Sequence, residues 1–284
     1  MLYLKMQSVF FIRHILLMCS FLGSLAWRLP IRAANRNNMH LLAGGFGQRK
    51  ASSELEGRNA IQRVYDSLSS ITDIDESMRL SSNCPFIKDC LDAMNDVELK
   101  DLGLDLEYVQ NAKESVCMNI VNSAGFDIQL FIIPAGKQLP LHDHPNMVVL
   151  SKVIAGDLSV RSFSLDDPNP VSEKSAQRAA LILSSTRSPT DAAWLLTPEV
   201  GNIHELKAAK TTVVFDVLMP PYSEPERPCN FYKSVESDGG WLLENVLPPP
   251  NRLLPNTVPY RGLKPTLKEV KWGSMFRRSS PARK

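Results

Sequence analysis

Residues 136–156 read GKQLPLHDHPNMVVLSKVIAG, and the rest of the chain is best understood outward from them. Two of the five histidines in the 284-residue chain, His142 and His144, stand here one residue apart. On a β-strand that spacing turns both imidazoles to one face, because side chains alternate with period 2. A third, His204, follows sixty residues after His144 in another short apolar stretch, IHELKA. Three imidazoles brought from two strands make a ligand set for a first-row transition metal, and that metal would carry the chemistry.

The spacing extends beyond the histidines. Gly136, five residues, then His142-Asp143-His144 fits the first cupin motif, GX5HXHX3–4EX6G. The glutamate slot falls on Val149 and the closing glycine on Gly156. Pro198, Gly201 and His204 approximate the second motif, PXGX2HX3N, with one extra residue and no final Asn. The two halves together are a specific signal, whereas an isolated HxH is weak. Replacing the glutamate changes the electrostatics, because three neutral imidazoles bring no charge to a divalent metal. Fe(II) held this way keeps its full charge and favours an anionic thiolate as incoming ligand, with a neighbouring position for O2. Zinc in the same set would lower the pKa of a bound water for hydrolysis or hydration. Spacing does not choose between the two, and histidines with a merely structural role are the plain alternative. Val148, Val149 and Leu150 are expected to keep water from the site.

The surrounding texture is that of a β protein. From residue 115 onward SVCMNIV, FDIQLFIIP, MVVLSKVIAG, LSVRSFS, AAWLLT, IHELKA and TTVVFDVLMP are short runs rich in Val, Ile, Leu and Phe. Turn residues divide them, which predicts a sandwich or barrel of many short strands. Residues 166–191, rich in Asp, Pro, Ser and Arg, read as an insertion loop whose centre, 177–183, is either a helical turn or a strand. Before the strands, Ile61, Val64, Tyr65, Leu68 and Ile71 fall on one face of a helix, and 85–94 repeats the pattern less well.

The net charge of +2 hides an asymmetry: residues 1–53 carry seven Lys/Arg and no acid, leaving about −5 on the remainder. A mildly acidic body gives no case for nucleic-acid binding. The apolar run at 15–27 is too short for a stable membrane span. A secretory signal, an Arg-rich mitochondrial presequence and an over-extended start upstream of Met39 are three competing accounts of the leader. The cytoplasm is the expected compartment, with the mitochondrion as the alternative and secretion ranked below it. Five scattered cysteines form neither a CxxC zinc pattern nor a disulfide framework. The expected organisation is a basic leader at 1–53, a helical region at 54–112, a β domain at 113–262 and a basic tail at 263–284. The default assembly is a monomer.

PLHDHP at 140–145, Lys152, Gly156, NIH at 202–204 and FDVLMPPY at 215–222 resemble the thiol dioxygenases of the cysteamine (2-aminoethanethiol) dioxygenase and plant cysteine oxidase type. The resemblance ends with WLLE at 241–244 and PYRG at 259–262. It implies a mainly β fold: a cupin barrel, or double-stranded β-helix, with an N-terminal helical extension. It also implies Fe(II) as cofactor and insertion of both atoms of O2 into a thiol to give a sulfinic acid. The implied substrates are a small aminothiol such as cysteamine or the N-terminal cysteine of a peptide, whose oxidation makes an oxygen-dependent degradation signal, a hypoxia response. By position, His142, His144 and His204 would be the iron ligands. Asp216 and Tyr222 would line the pocket and help place the substrate's amine or O2.

This sequence also departs from the family pattern. Animal members can carry a cross-linked Cys-X-Tyr; here Cys229 is followed by Asn230, Phe231 and Tyr232, so phenylalanine takes the tyrosine position and Tyr232 would point to the opposite face. Asn146 stands where glycine commonly follows HDHP. The rival readings are a zinc, nickel or manganese cupin enzyme and a non-catalytic cupin with a binding or regulatory role.

Overall fold

The computed structural model describes residues 59–69, 84–167, 176–246 and 254–268. The leader, with its targeting readings, and the tail beyond residue 268 lie outside the described residues, as does Ile71. Three helices come first: α1 (Ala60–Ser69), α2 (Pro85–Asn95) and α3 (Leu106–Gln110). Ile61, Val64, Tyr65 and Leu68, the apolar face predicted for α1, are all buried. Asn59 starts that helix by accepting the Ile61 N–H at 2.8 Å. Pro85 opens α2, where its missing N–H leaves no bond unmade. Among the described residues no helix is long and apolar enough to cross a membrane.

The strands follow as β1 (Val116–Asn122), β2 (Asp127–Ile133), β3 (Gln138–His142), β4 (Val148–Ala155), β5 (Leu158–Leu165), β6 (Gln177–Arg187), β7 (Trp194–Leu196), β8 (Ile203–Ala208), β9 (Thr212–Met219), β10 (Tyr232–Ser237), β11 (Gly240–Asn245) and β12 (Asn256–Thr257). They form two six-stranded sheets, ordered β12-β1-β2-β9-β4-β7 and β10-β11-β6-β5-β8-β3. Apart from the parallel β1–β12 contact, neighbours run antiparallel. Ile133, Val149, Val153 and Val214 of the first sheet meet Leu139, Val160 and Leu206 of the second in one interior cluster. This is the expected cupin barrel: two curled antiparallel sheets closed on a shared interior.

Strands β4 and β9 read as nearly unbroken apolar runs because both of their faces are buried. Val149 and Val153 face the barrel. Val148, Leu150, Phe215 and Val217 face the other way and pack with Ile61, Leu68, Ile87 and Met94 of the helices. The expectation that residues 148–150 together shield the site therefore fails for Val148 and Leu150, since a period-2 strand cannot turn three successive side chains inward.

Two further elements complete the fold. Residues 177–183, read as either a helical turn or a strand within an insertion loop, belong to the long strand β6, which runs on to Arg187 and pairs with β5 and β11. Much of β6 is solvent-exposed, so its sequence lacks the apolar density that marks the buried strands. The segment after residue 254 wraps the molecule: Tyr65 Oη donates to the Lys268 carbonyl at 3.2 Å, and the Thr266 N–H donates to Gln62 at 2.7 Å. The C-terminal strap thus ties α1 to the first sheet, which it enters through β12.

The two motif glycines differ in what they require. Both have left-handed backbone, φ 79° at Gly136 and 86° at Gly156. A Cβ on Gly136 meets nothing within 4 Å, whereas one on Gly156 would lie 2.3 Å from the Thr211 carbonyl oxygen. Gly136→Ala is expected to cost about 1 kcal/mol, the backbone term alone, and Gly156→Ala clearly more. Chemical denaturation of the two variants checks this; equal losses would contradict it.

Candidate functional site

The histidines converge where β3 and β8 meet. His142 and His204 are direct partners in that antiparallel pair, so their rings start side by side. His144 does not share the strand with His142 as its spacing predicts, because β3 ends at His142. It lies in the following turn and is carried inward by other contacts. Asn202 Oδ1 accepts the His144 N–H at 3.0 Å, and Asn202 Nδ2 donates to the His144 carbonyl at 2.7 Å. This two-pronged clamp comes from the residue two before His204, so one short segment positions both histidines. Just beyond it, Asn146 has φ 53°, a left-handed conformation that asparagine tolerates better than most residues. That is why it can stand in a glycine's place.

The three rings lie with centroids 4.7–4.9 Å apart, and one nitrogen of each falls within 4.8 Å of the others. Hydrogen bonds fix which nitrogen is free in two of them, whereas His204 Nδ1 is buried without a partner. His142 Nδ1 lies 2.8 Å from the Pro140 carbonyl, which can only accept, so Nδ1 carries the proton and Nε2 keeps its lone pair. The Tyr222 hydroxyl donates to the Asp143 carbonyl at 2.6 Å and lies 2.7 Å from His144 Nδ1. With its one proton spent on the carbonyl, the hydroxyl accepts from Nδ1–H, and His144 Nε2 is free as well. Such outer partners are what ligating histidines ordinarily have.

The electrostatics keep these rings neutral. Burial pushes the pKa of His142 down, and pushes those of His144 and His204 well down; the neighbouring imidazoles add to the effect in the last two. Neutral imidazole is the ligating form. The Nε2 atoms of His144 and His204 are 3.0 Å apart. Both could reach one metal ion from there. The donor set suits a metal ion.

The histidines line a cavity of about 150 Å³ with Asp216, Tyr222, Cys229 and Phe231. Asp216 reaches it from the opposite sheet, on β9. It is 5% exposed and its Oδ1 has no hydrogen-bond partner. Burial raises its carboxyl to about 7, with nearby Ser151 pulling the other way. Burial raises the Tyr222 phenol well above its ordinary value, with Cys229 adding to the effect, and it raises the Cys229 thiol to about 12. Val149, in the glutamate slot, packs in the apolar interior.

Two features escaped the sequence reading. Asp143, between the two motif histidines, is not a cavity group but a latch. Its carboxylate accepts from Asn230 N at 2.8 Å, Asn230 Nδ2 at 3.0 Å and Tyr232 Oη at 2.8 Å. The latch sets Cys229 and Phe231 in the cavity wall and turns Tyr232 away from it, as the strand alternation anticipates. The Asn202 clamp was likewise invisible, because an asparagine in a loop has many bland uses; its place two residues before His204 is the only hint.

The sequence family described as PCO_ADO matches residues 92–251, more than half of the chain. Plant cysteine oxidase 1 of Arabidopsis thaliana is 26% identical over 203 residues, 67% of this chain and 69% of that protein. Plant cysteine oxidase 2 of the same plant is 32% identical over 163 residues, 51% of this chain and 58% of that protein. The 2-aminoethanethiol dioxygenase of Mus musculus is 30% identical over 139 residues, 42% of this chain and 54% of that protein. The chain thus spans between 54% and 69% of the length of these relatives. Among solved structures, an RmlC-like cupin protein from Desulfovibrio desulfuricans aligns with 39% of this chain at 19% identity and a TM-score of 0.28. With its barrel, its three converging histidines and this match, the chain belongs to the PCO_ADO family of thiol dioxygenases.

Proposed function

We propose that the chain is an Fe(II)-dependent dioxygenase that converts an amine-bearing thiol, cysteamine or the N-terminal cysteine of a peptide, to its sulfinic acid. The observation that carries this reading is a charge-free set of three histidines facing a buried carboxylate across one small cavity. His142, His144 and His204 would hold iron, which supplies a redox centre where thiolate sulfur and O2 react. The reaction balances as RSH + O2 → RSO2H. Sulfur gives up four electrons, both oxygen atoms end on sulfur, and no external reductant enters.

The chain's own residues do the rest. The Asp216 carboxylate pairs with the substrate ammonium and so aims the thiol across the cavity toward the histidines. Tyr222 keeps its proton and spends it on the Asp143 carbonyl; it acts by orienting His144. Phe131, Leu139, Leu206 and Leu218 give the cavity apolar walls that limit water at the reacting sulfur.

The direct test is mass spectrometry after aerobic incubation of Fe(II)-loaded protein with cysteamine and with a Cys-initiated peptide. A gain of two oxygen atoms on at least one is expected; no gain on either, with iron bound, rejects the reading. Tyr222→Phe removes the partner of His144 Nδ1 and should weaken Fe(II) retention against a chelator about 10- to 100-fold. Unchanged retention would remove Tyr222 from this role.

Asp216 also makes a pH-dependent prediction for the metal-free protein. Its carboxyl titrates near 7 when folded and near 3.8 otherwise, so the folded state keeps a proton that the unfolded state has released. Stability therefore falls as pH rises from about 4 toward 7 and stays lower above, by on the order of 4 kcal/mol at most. Asp216→Asn should unfold later than the unsubstituted chain at pH 8, with the gap closing as pH falls toward 4. A gap that does not change with pH would contradict this.

A further inference from the structure

One polar row crosses the inner face of the first sheet. Asn119 of β1 is the register partner of Gln129 on β2, Gln129 of Asp216 on β9, and Asp216 of Ser151 on β4. Direct partners in an antiparallel sheet put their side chains on one face. That face is the cavity face, because Gln129 and Asp216 both line the cavity with the histidines. The row on one side is apolar, with Phe131, Val214 and Val153; the row on the other holds Leu218 and Val149 beside Asp127, whose carboxylate is taken up by the Ser123 N–H of the adjoining turn. Filling the barrel calls for no polar row here, and Asn119 Oδ1 and Asp216 Oδ1 are buried without hydrogen-bond partners. Unpartnered buried polar atoms are rare enough to need a cause.

The row is graded as well. Ser151 is 0% exposed and Asp216 5%, while Gln129 and Asn119 are half-buried. A substrate held by its ammonium at Asp216 therefore has its way out past Gln129. Neighbouring strands are about 4.8 Å apart, so the Gln129 amide sits one group further along than the carboxylate. In a peptide that begins with cysteine, the next polar group after the ammonium is the first carbonyl. Gln129 has N–H donors for it, and among the described residues its side chain has no other hydrogen-bond partner. Cysteamine has no such carbonyl. Free cysteine has a carboxylate there, and among the described residues no lysine or arginine lines the cavity to receive it.

We infer that Gln129 is a specificity-determining residue, whose side-chain amide donates to the first carbonyl of a peptide substrate and so separates Cys-initiated peptides from cysteamine. This rests on the thiol-oxidising reading above for the chemistry, but not for the binding. Asn119 continues the row onto β1, which pairs with β12, and Leu254 and Pro255 just before β12 also line the cavity.

The test compares Gln129→Leu and the isosteric Gln129→Glu with the unsubstituted protein in two ways. The first is the ratio of kcat/KM for a Cys-initiated peptide to that for cysteamine. The second is the equilibrium Kd of the same peptide with serine in place of cysteine, which binds without being oxidised. Iron content and thermal midpoint are measured alongside to show that both variants are folded and loaded. The ratio should fall about ten-fold in both variants and the Kd should rise by a similar factor, as expected for one lost buried hydrogen bond. Gln129→Glu fits the space but presents only acceptors to a carbonyl, so its loss shows that the donor matters. A ratio and Kd unchanged in Gln129→Glu, or serine-peptide binding absent from the unsubstituted protein, would overturn the assignment. If the unsubstituted protein oxidises neither thiol, the dioxygenase reading fails by itself, and the Kd comparison still decides Gln129.

Discussion

Three imidazole rings can face one another at under 5 Å only if each is neutral. That constraint organises this site. The Pro140 carbonyl settles His142 and the Tyr222 hydroxyl settles His144. Burial and mutual repulsion then keep the added protons off. The result is a cluster of free lone pairs with no accompanying negative charge. Replacing the motif glutamate with Val149 is what leaves it uncharged, and the nearest spare carboxylate, Asp216, stands across the cavity on the other sheet.

The barrel makes that arrangement possible by register. The β3–β8 ladder sets His142 opposite His204, and the β4–β9 ladder sets Ser151 opposite Asp216. The two sheets then bring these rows face to face over an apolar interior. The helices have a supporting part: they cover the outer face of β4 and β9 and leave the inner face to the cavity. A buried polar row is destabilising unless it is used. In this barrel it faces the metal-suited cluster, which is where a bound amine would offset its cost.

Much of this was legible from residue types and spacing. The HxH pair, Gly136 and Gly156 mark the motif, and the Val- and Ile-rich runs mark the buried strands. What sequence did not reveal was of three kinds. Strand β6 was legible only as one of two alternatives, and its length was hidden, because much of it faces water and so lacks the apolar density of the other strands. The end of β3 at His142 was hidden because alternation says which face a residue takes, not where a strand stops. The Asp143 latch, the Asn202 clamp and the polar row were hidden because they depend on cross-strand neighbours: Gln129 is an ordinary residue until it is seen beside Asp216.

The central claim is that three neutral histidines hold iron and leave positions open for a thiolate. X-ray absorption spectroscopy of the Fe(II)-loaded protein, before and after anaerobic addition of a Cys-initiated peptide, tests it most directly. Three imidazole nitrogens at about 2.1 Å are expected in both states, with a sulfur neighbour at about 2.3 Å only after the peptide is added. A carboxylate from Asp143 or Asp216 in the first state, or no sulfur neighbour in the second, would contradict it.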